Sequence, residues 1–417
     1  MRVNALLAAG IVVLSGVLAA PVTAALPGAN GKIAYDGGRF LNGSLVSGIF
    51  TVDPGGDTFF TEGFFPAWSP DGTELAFASF HNNDWDIHIS QADGSDTRRV
   101  TTFPGRDWQP TWSPDGSQIA FASNRTGVSE IYVINIDGSG ERQLTDEASA
   151  SSSASEPAWS PKGDEIAFTT LTPLEDNEVH VIGVDGSSER AVPGNGFEGN
   201  SPDWAPDASR ILFASSETNF AGGLYTVKPD GTGLTPTGIA GRQINGDGTF
   251  VFQPAFSPDG TMVVYAYQTC FIGRCGGGLV TVGSDRTNPK TLTAGVRFEQ
   301  FDDPAWQALP NHAPDCSRVA ASPRSLWPPN HKLVQVALAG ATDPDGDAVS
   351  IATTGVTNDE GASVGDFASG PGSNQVRLRA ERDPHGDGRT YTMSFTVSDG
   401  RGGSCTGATA VTVPRHG

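Results

Sequence analysis

Basic and sulfur-containing side chains are scarce in this chain, and each shortage argues against a class of function. Lys and Arg together number 26 against 47 Asp and Glu, which gives a formal net charge of −21. Because such a protein repels phosphate backbones and anionic lipid surfaces, neither nucleic acid nor an acidic membrane surface is expected as a partner. The four cysteines include no CxxC pair and no adjacent histidine, which excludes a zinc knuckle.

Long apolar runs are absent except at the N-terminus. One charge, Arg2, precedes an apolar run over residues 5–20, and the small residues 22–24 offer a cleavage site. The run is short and no stop-transfer charges follow, so residues 1–24 are predicted to be a secretory signal peptide with no transmembrane segment after cleavage. We therefore expect an exported protein, either periplasmic or extracellular.

Segments with helical periodicity are few, whereas glycine and proline number 53 and 29. This composition predicts an all-β chain with more than one domain. In the most regular stretch, residues 110–145, Ile119 and Phe121 alternate with small residues, and residues 131–134 form a β-branched and aromatic run. Pro-Asp-Gly and Asp-Gly turns separate these segments. The stretch therefore predicts four short antiparallel strands.

The same unit recurs along the chain. An aromatic residue stands two positions after a proline six times, 44 to 52 residues apart, as in propeller blades: Trp68, Trp112, Trp159, Trp204, Phe256 and Trp306. A second-strand pattern also occurs at residues 32–35 without a preceding aromatic anchor, while Trp306 has no strand after it. Because ring closure removes exposed edges, these two ends are predicted to share a blade. The prediction is a six-bladed β-propeller over residues 28–309, closed by N- and C-terminal strands.

The repeated pattern WSPDGxxIAFxS, followed by EIYV, DGS and QLT, resembles the repeat of TolB-type β-propellers, which is also used by prolyl oligopeptidase relatives. The resemblance covers about two thirds of the chain and implies the propeller fold. TolB carries an α/β domain that binds Tol partners, whereas the peptidases add a catalytic α/β-hydrolase domain. Here the sequence passes from the predicted signal peptide to the propeller, and no GxSxG motif occurs.

Irregular connections mark the expected binding face. The uniform SPDG and DGS turns are predicted to share one face, and longer connections the other, where function usually lies: residues 36–48, 80–86, 171–178, 216–223, 239–251 and 268–278. The innermost strands begin at this second face. A ligand at the channel mouth would therefore contact Trp108 and the six pre-proline residues: Phe65, Gln109, Glu156, Ser201, Gln253 and Asp303.

No catalytic set stands out. The seven histidines are scattered, and His88 and His180 occupy positions that tyrosines hold in sister repeats, which predicts packing roles. Acidic pairs such as Asp302 and Asp303 are predicted to lie in loops, with no readable spacing across blades.

After Pro310 the period stops, and residues 311–314 are predicted to be a short linker. Alternating segments separated by turns then predict a β-sandwich over residues 315–417. The segment LWPPNHK at residues 326–332 resembles immunoglobulin-like modules appended to bacterial exported proteins. The acidic turn of Asp343, Asp345 and Asp347 resembles the calcium-contacting turn of cadherin-like modules, which implies a possible calcium site; a plain Asp/Gly/Pro turn is the alternative.

The four cysteines are expected to form disulfides, since export permits them. Pairing of Cys270 with Cys275 in one loop, and of Cys316 with Cys405 across the C-terminal module, is the simplest of three connectivities. The other two would tie the domains together.

Two functions are consistent with these patterns. The favoured hypothesis is a non-catalytic exported scaffold whose propeller loop face binds a protein or glycan of the cell envelope or exterior. The alternative is a carbohydrate-active lyase or hydrolase that uses channel-mouth carboxylates such as Glu156 and Asp303.

Overall fold

A computed structural model describes residues 30–415, apart from residues 42–43, 54–55, 82–83, 147–152, 172–176, 194–196, 216–222, 245–246, 272–273, 295–299, 310, 346, 361–366, 369–372, 384–385 and 401–402. The described residues contain strands and no helix, so the predicted all-β class is confirmed. None of them forms a helix of the length and hydropathy needed to cross a membrane. The predicted signal peptide, residues 1–24, lies outside the described residues.

The N-terminal strands join a strand from much later in the chain. This closing sheet contains β1 (Asn30–Leu41), β2 (Ser44–Asp53) and β3 (Gly56–Thr61), and its fourth member is β25 (Gln300–Ala308). The strand order is β25-β1-β2-β3, and Ile33 lies opposite Trp306. The predicted closure by N- and C-terminal strands is therefore confirmed.

Between these ends the chain forms consecutive antiparallel sheets. The first sheet contains β4 (Phe64–Trp68), β5 (Glu74–His81), β6 (Asp84–Gln91) and β7 (Arg98–Arg99). The second contains β8 (Asp107–Trp112), β9 (Gln118–Ser123), β10 (Glu130–Asn135) and β11 (Arg142–Gln143). The third contains β12 (Ser153–Trp159), β13 (Glu165–Leu171), β14 (Asn177–Gly183) and β15 (Arg190–Ala191).

Two further sheets complete the series. The fourth sheet contains β16 (Asn200–Trp204), β17 (Ile211–Ser215), β18 (Gly223–Val227) and β19 (Thr235–Ala240). The fifth contains β20 (Arg242–Ile244), β21 (Asp247–Phe256), β22 (Met262–Phe271), β23 (Arg274–Gly283) and β24 (Lys290–Ala294). With the closing sheet, the described residues between 30 and 308 form six sheets, each with one anchor aromatic on its inner strand.

The anchor tryptophans hold neighbouring sheets together. Trp112 packs in one buried cluster with Ile87 of the first sheet and Phe121 of its own. Its indole N–H donates to the carbonyl oxygen of Ala67 at 2.9 Å, and Trp204 donates to Ala158 at 3.1 Å. These contacts agree with the predicted packing role.

The short turns lie together on one face. A Cβ atom at Gly116 would lie 3.9 Å from Pro70 of the preceding sheet, and one at Gly163 would lie 3.3 Å from Pro114. Several connections on the other face, predicted to be irregular, are instead extended hairpins: β22 and β23 pair as far as residues 271 and 274, and β1 and β2 as far as 41 and 44. Sequence irregularity there reflected long strands rather than loops.

The C-terminal module is a sandwich of two sheets around its own core. One sheet has the order β26-β27-β30-β29, from β26 (Ala320–Ser322), β27 (Leu333–Ala339), β29 (Phe367–Ala368) and β30 (Gln375–Arg379). The other has the order β28-β31-β32, from β28 (Ser350–Asn358), β31 (Gly388–Ser398) and β32 (Ser404–Pro414). Val336, Leu378, Tyr391 and Phe395 belong to the buried cluster between them. The domain limits 28–309 and 315–417 remain predictions.

The cysteines follow the simplest pairing where they are described. Cys316 and Cys405 form a disulfide across the C-terminal module. Cys270 is disulfide-bonded, and Cys275 lies directly opposite it in the β22–β23 hairpin. The side chain of Cys275 lies outside the described residues.

Candidate functional site: the channel mouth

All six inner strands line one cavity of about 280 Å³. Each of β4, β8, β12, β16, β21 and β25 contributes a pre-proline residue, and we call these six residues the mouth ring: Phe65, Gln109, Glu156, Ser201, Gln253 and Asp303. The predicted positions Gln109, Glu156, Gln253 and Asp303 therefore lie together. Trp108 does not line the cavity among the described residues but belongs to a neighbouring aromatic surface.

The mouth ring has an unusual backbone conformation. All six residues have a positive φ, between 47° and 56°, although none of them is glycine. Each lies beside a shift in the strand register, so every inner strand bulges at its X-Pro step. Left-handed backbone costs an L-residue about 1–2 kcal/mol. Such strain persists only where surrounding contacts impose it, and it is frequent at binding sites.

Hydrogen bonds between sheets impose this conformation. The backbone N–H of Glu156 donates to the side-chain carbonyl of Gln109 at 3.0 Å, and that of Ser201 donates to the Glu156 carboxylate at 2.7 Å. Likewise, the N–H of Asp303 donates to Gln253 Oε1 at 3.2 Å. One mouth-ring side chain thus accepts from the backbone of the next member, which links successive sheets around the channel.

The Glu156 carboxylate is engaged by its neighbours. Besides the Ser201 N–H, its Oε2 atom accepts from the Thr169 hydroxyl at 2.7 Å, and its Oε1 atom accepts from the Ser201 hydroxyl at 3.3 Å. Both oxygens therefore have structural partners.

A group of acids lies where the ring closes. Asp36 on β1 is 5% exposed, and its Oδ1 atom accepts from the Phe65 N–H at 3.2 Å. Its carboxyl group lies within hydrogen-bond reach of that of Asp303, and Asp302 is nearby. Burial raises the pKa of Asp36 to about 7, and burial together with the charges of Asp36, Glu156 and Asp302 raises the pKa of Asp303 well above its usual value.

A second enclosed acid lies elsewhere on the channel wall. Asp203 on β16 accepts from the Phe256 N–H at 2.7 Å, and burial raises its pKa to about 7. It belongs to the fourth sheet, away from the closing sheet.

An aromatic surface extends outward from the mouth ring. We call it the aromatic cluster: Phe64, Phe65, Phe80, Trp85 and Trp108, with Arg106. The Phe64 ring lies 6.4 Å from Phe65 and 5.3 Å from Trp85, which in turn lies 5.6 Å from Phe80. The Arg106 guanidinium lies 5.1 Å from the Trp85 ring and 5.0 Å from the Trp108 ring. Phe80 is 55% exposed.

Sequence reasoning missed Asp36 and most of the aromatic cluster. The available signals were two connections already predicted to lie on the binding face: residues 36–48, which begin with Asp36, and residues 80–86, which contain Phe80 and Trp85. Asp302 and Asp303 lie on strand β25 rather than in a loop, so that prediction was wrong: the pairing of β25 with β1 extends the strand past them. His88 and His180 lie 6.0 Å from Phe77 and 5.7 Å from Phe168, in the expected packing positions.

The acidic turn of the C-terminal module gathers its three carboxylates. Ligand oxygens of Asp343, Asp345 and Asp347 lie within 4.8 Å of one another. Asp343 Oδ1 accepts from the backbone N–H groups of Asp345 at 2.8 Å and Asp347 at 3.3 Å. Its Oδ2 atom is buried without a hydrogen-bond partner among the described residues. His312 contacts the turn, with its Nδ1 atom 2.7 Å from Asp345 Oδ1.

Comparison with known families finds a match in each part of the chain. Residues 58–243 match the TolB beta propeller domain, and residues 311–412 match a bacterial Ig domain. The Tol-Pal system protein TolB of Thioalkalivibrio sulfidiphilus (strain HL-EbGR7) is 42% identical over 40 residues, which is 10% of this chain and 9% of that protein's length.

Solved structures show the same fold. TolB from Acinetobacter baumannii superposes with a TM-score of 0.55 at 19% identity, covering 66% of each chain. A putative TolB from Agrobacterium tumefaciens gives a TM-score of 0.50 at 19% identity, covering 67% of this chain and 94% of the other. At these identities the likeness establishes the propeller fold alone.

Proposed function

We propose that this protein, which carries a TolB β-propeller domain followed by a bacterial Ig domain, is an exported, non-catalytic binding scaffold. Its propeller binds a protein of the cell envelope or exterior at the channel mouth. Domains of both families are typical of the periplasm and the extracellular space, and the predicted signal peptide supports export. The Ig domain spaces or attaches the propeller.

The aromatic cluster carries this proposal. Protein-binding hot spots are rich in Trp and Arg, and they combine packed anchors with a polar surround. Here Arg106 lies against both tryptophans, and Phe65 joins the cluster to the rigid mouth ring. A surface that is already ordered loses little conformational entropy on binding, which favours affinity.

The carboxylates favour a scaffold over the alternative enzyme. A glycosidase needs one carboxyl free to protonate a leaving group and a second free to act as nucleophile or base. Both oxygens of Glu156 accept structural hydrogen bonds, and Asp303 Oδ1 accepts from the Gln253 side chain at 2.7 Å. Although both residues line the cavity, their carboxyl groups are engaged in hydrogen bonds within the protein.

The test compares two surface variants. Trp85→Ala removes the central ring of the aromatic cluster, whereas Leu234→Ser changes another exposed apolar residue, 37% exposed, near the short-turn face. Both proteins and the wild type are immobilised, exposed to envelope extract and analysed by quantitative mass spectrometry. We expect a protein that the wild type and Leu234→Ser retain but Trp85→Ala loses at least tenfold, a difference of about 1.4 kcal/mol.

The protein so found is then purified and titrated calorimetrically against all three forms. Equal affinity for wild type and Trp85→Ala would refute the proposal. Binding of purified envelope polysaccharide with the same Trp85 dependence would replace the protein partner with a glycan, and turnover of that polysaccharide would restore the enzyme alternative.

We also propose that the acidic turn of the Ig domain binds calcium. Calcium prefers several oxygen ligands, and the Oδ2 atom of Asp343, which is buried and has no hydrogen-bond partner among the described residues, fits that preference. When bound, the ion would neutralise the repulsion among Asp343, Asp345 and Asp347.

Calcium should raise the melting temperature of the Ig domain, and chelator should lower it again, because a ligand that binds only the folded state stabilises that state. Asp345→Asn should abolish the shift, whereas Asp359→Asn, an exposed acid elsewhere in the same module, should retain it. Identical melting temperatures of the wild type with calcium and with chelator would refute calcium binding by the acidic turn.

A further inference from the structure

The closing sheet differs from the other sheets because its strands come from opposite ends of the propeller sequence. Its seam is the pairing of β1 with β25, in which Asp36 lies opposite Asp302. The register shifts between this pair and the Ala34–Ala305 pair, so Asp303 and Pro304 lie in the bulge. Contacts at this bulge therefore help to decide whether the ring stays closed.

We call the hydrogen bonds between mouth-ring residues of neighbouring sheets the relay. At the seam, the accepting group of the relay is an aspartate on β1 instead of a mouth-ring side chain. At three other steps a Gln or Glu side chain accepts the backbone N–H of the next inner strand: Gln109 from Glu156, Glu156 from Ser201, and Gln253 from Asp303. Across the seam, Phe65 N–H donates instead to Asp36 on β1. The bulge brings Asp303 on β25 within hydrogen-bond reach of the Asp36 carboxyl, and Asp303 Oδ1 accepts from the Gln253 amide at 2.7 Å.

A hydrogen bond between two carboxyl groups contains one proton, because an ionised carboxylate can only accept. We propose that the Asp36–Asp303 pair is a proton-dependent latch that holds β1 onto β25. With the proton present, one carboxyl donates to the other and joins β1 to β25 at the seam. When the proton leaves, two like charges face each other at the seam and the bond is lost.

The other charged groups around the pair reinforce this behaviour. Asp302 follows on β25 and Glu156 faces the pair from β12, and both are acidic. On β1, Arg39 is paired with Asp57 of β3. The facing residues of β4 and β21, Phe65 and Gln253, are uncharged. The acidic neighbours disfavour ionisation of the pair.

The direction of the pH effect follows from linkage. The pKa of Asp36 is raised to about 7 in the closed ring, against an ordinary value of 3.8. Its contribution to closure is therefore complete below about pH 4, declines as the pH rises towards 7, and is lost above that value. Opening of the seam releases a proton throughout this window.

Hydrogen–deuterium exchange of the full chain tests the latch, with rates corrected for the intrinsic effect of pH. Peptides from β1 and β25 are compared with peptides from β9 and β10 of the second sheet at pH 5, 6, 7 and 8. We expect protection of the seam, relative to the second sheet, to fall by up to tenfold per pH unit until about pH 7 and then to level off.

Asp303→Asn provides the decisive variant, since its amide can donate to the Asp36 carboxylate without a titrating proton. The pH dependence of seam protection should disappear. Asp203→Asn removes the other acid with a pKa raised to about 7, away from the seam, and should leave the difference between seam and second sheet intact.

Equal pH slopes for the seam and the second sheet in the wild type would overturn the latch. So would a wild-type slope in Asp303→Asn. If that variant does not fold, Asp36→Asn makes the same prediction with donor and acceptor exchanged.

Discussion

The two faces of the propeller both use left-handed backbone, but with opposite residue types. On the short-turn face the position is mostly glycine, at Gly72, Gly116, Gly163 and Gly260, with φ between 70° and 77°. On the mouth face it is never glycine in the six described inner strands. Glycine adopts this conformation at no steric cost, whereas the mouth-ring residues do not.

The difference lies in what the side chains do. In the turns, bonding is local: Ser113 Oγ donates to Asp115 at 2.6 Å and accepts from the Gln118 N–H at 2.9 Å. In the mouth ring, the side chains of Gln109, Glu156 and Gln253 bond across sheets, as Gln109 does with Glu156 47 residues away, while Phe65 contributes an aromatic ring. Glycine could not supply these bonds. The comparison teaches that strain is retained where a side chain joins distant parts of the chain.

The largest loss of stability is expected when alanine replaces Gly72, the turn glycine that contacts β25 of the seam. A Cβ atom at Gly72 would overlap the carbonyl oxygen of Ala308 on β25, whereas one at Gly116 would meet only an ordinary contact. Gly116→Ala should lower the free energy of unfolding by about 1–2 kcal/mol from backbone strain alone. Gly72→Ala should cost about 1–3 kcal/mol more, because the new atom is overpacked.

Urea denaturation of both variants measures the difference. Equal midpoints for Gly72→Ala and Gly116→Ala would show that β25 shifts to accommodate the added methyl group with no additional loss of stability.

A smaller effect is expected from cutting the relay at Glu156. Glu156→Ala leaves the Thr169 hydroxyl without its acceptor and leaves the Ser201 N–H only the longer bond to Thr169 Oγ1, at 3.2 Å. The free energy of unfolding should therefore fall by about 1.5–3 kcal/mol. Glu156→Gln keeps one carbonyl acceptor and should lose less. The same denaturation experiment ranks the two variants, and an unchanged midpoint for Glu156→Ala would mean that the relay does not stabilise the ring.

The smallest change in stability is expected on the short-turn face, where one turn has alanine in place of glycine. Ala208 has a φ of 56° at the position that glycine occupies in the other turns. Ala208→Gly should therefore raise the thermal midpoint slightly, by relief of about 1–2 kcal/mol of strain less the added entropy of the unfolded chain, about 0.4–1 kcal/mol. A lower midpoint would show that the Ala208 methyl group contributes packing that outweighs its strain.

The fold was largely predictable because its signals are local and repeated. The Pro-Asp-Gly turns, the alternation around Ile119 and the recurring tryptophans each depend on a few neighbouring residues. Closure was predictable for a related reason: residues 32–35 and Trp306 each displayed half of a repeated unit. The candidate site was only partly predictable. The mouth-ring positions follow from the prolines, but their bonding partners lie about 45–50 residues away.

The sequence by itself determined the all-β class, the repeat, and the closure of the propeller by its N- and C-terminal strands, and among three cysteine connectivities it favoured the simplest. Turn chemistry and side-chain alternation act over a few residues, so the sequence of each repeat specifies its own strands and turns. Only the tertiary structure decided that Asp36 meets Asp303, that Phe80 and Trp85 join Phe65 in one surface, and that the pre-proline residues adopt left-handed backbone. Those features arise from contacts between sheets, and no local pattern specifies which side chains will face each other once the ring has closed.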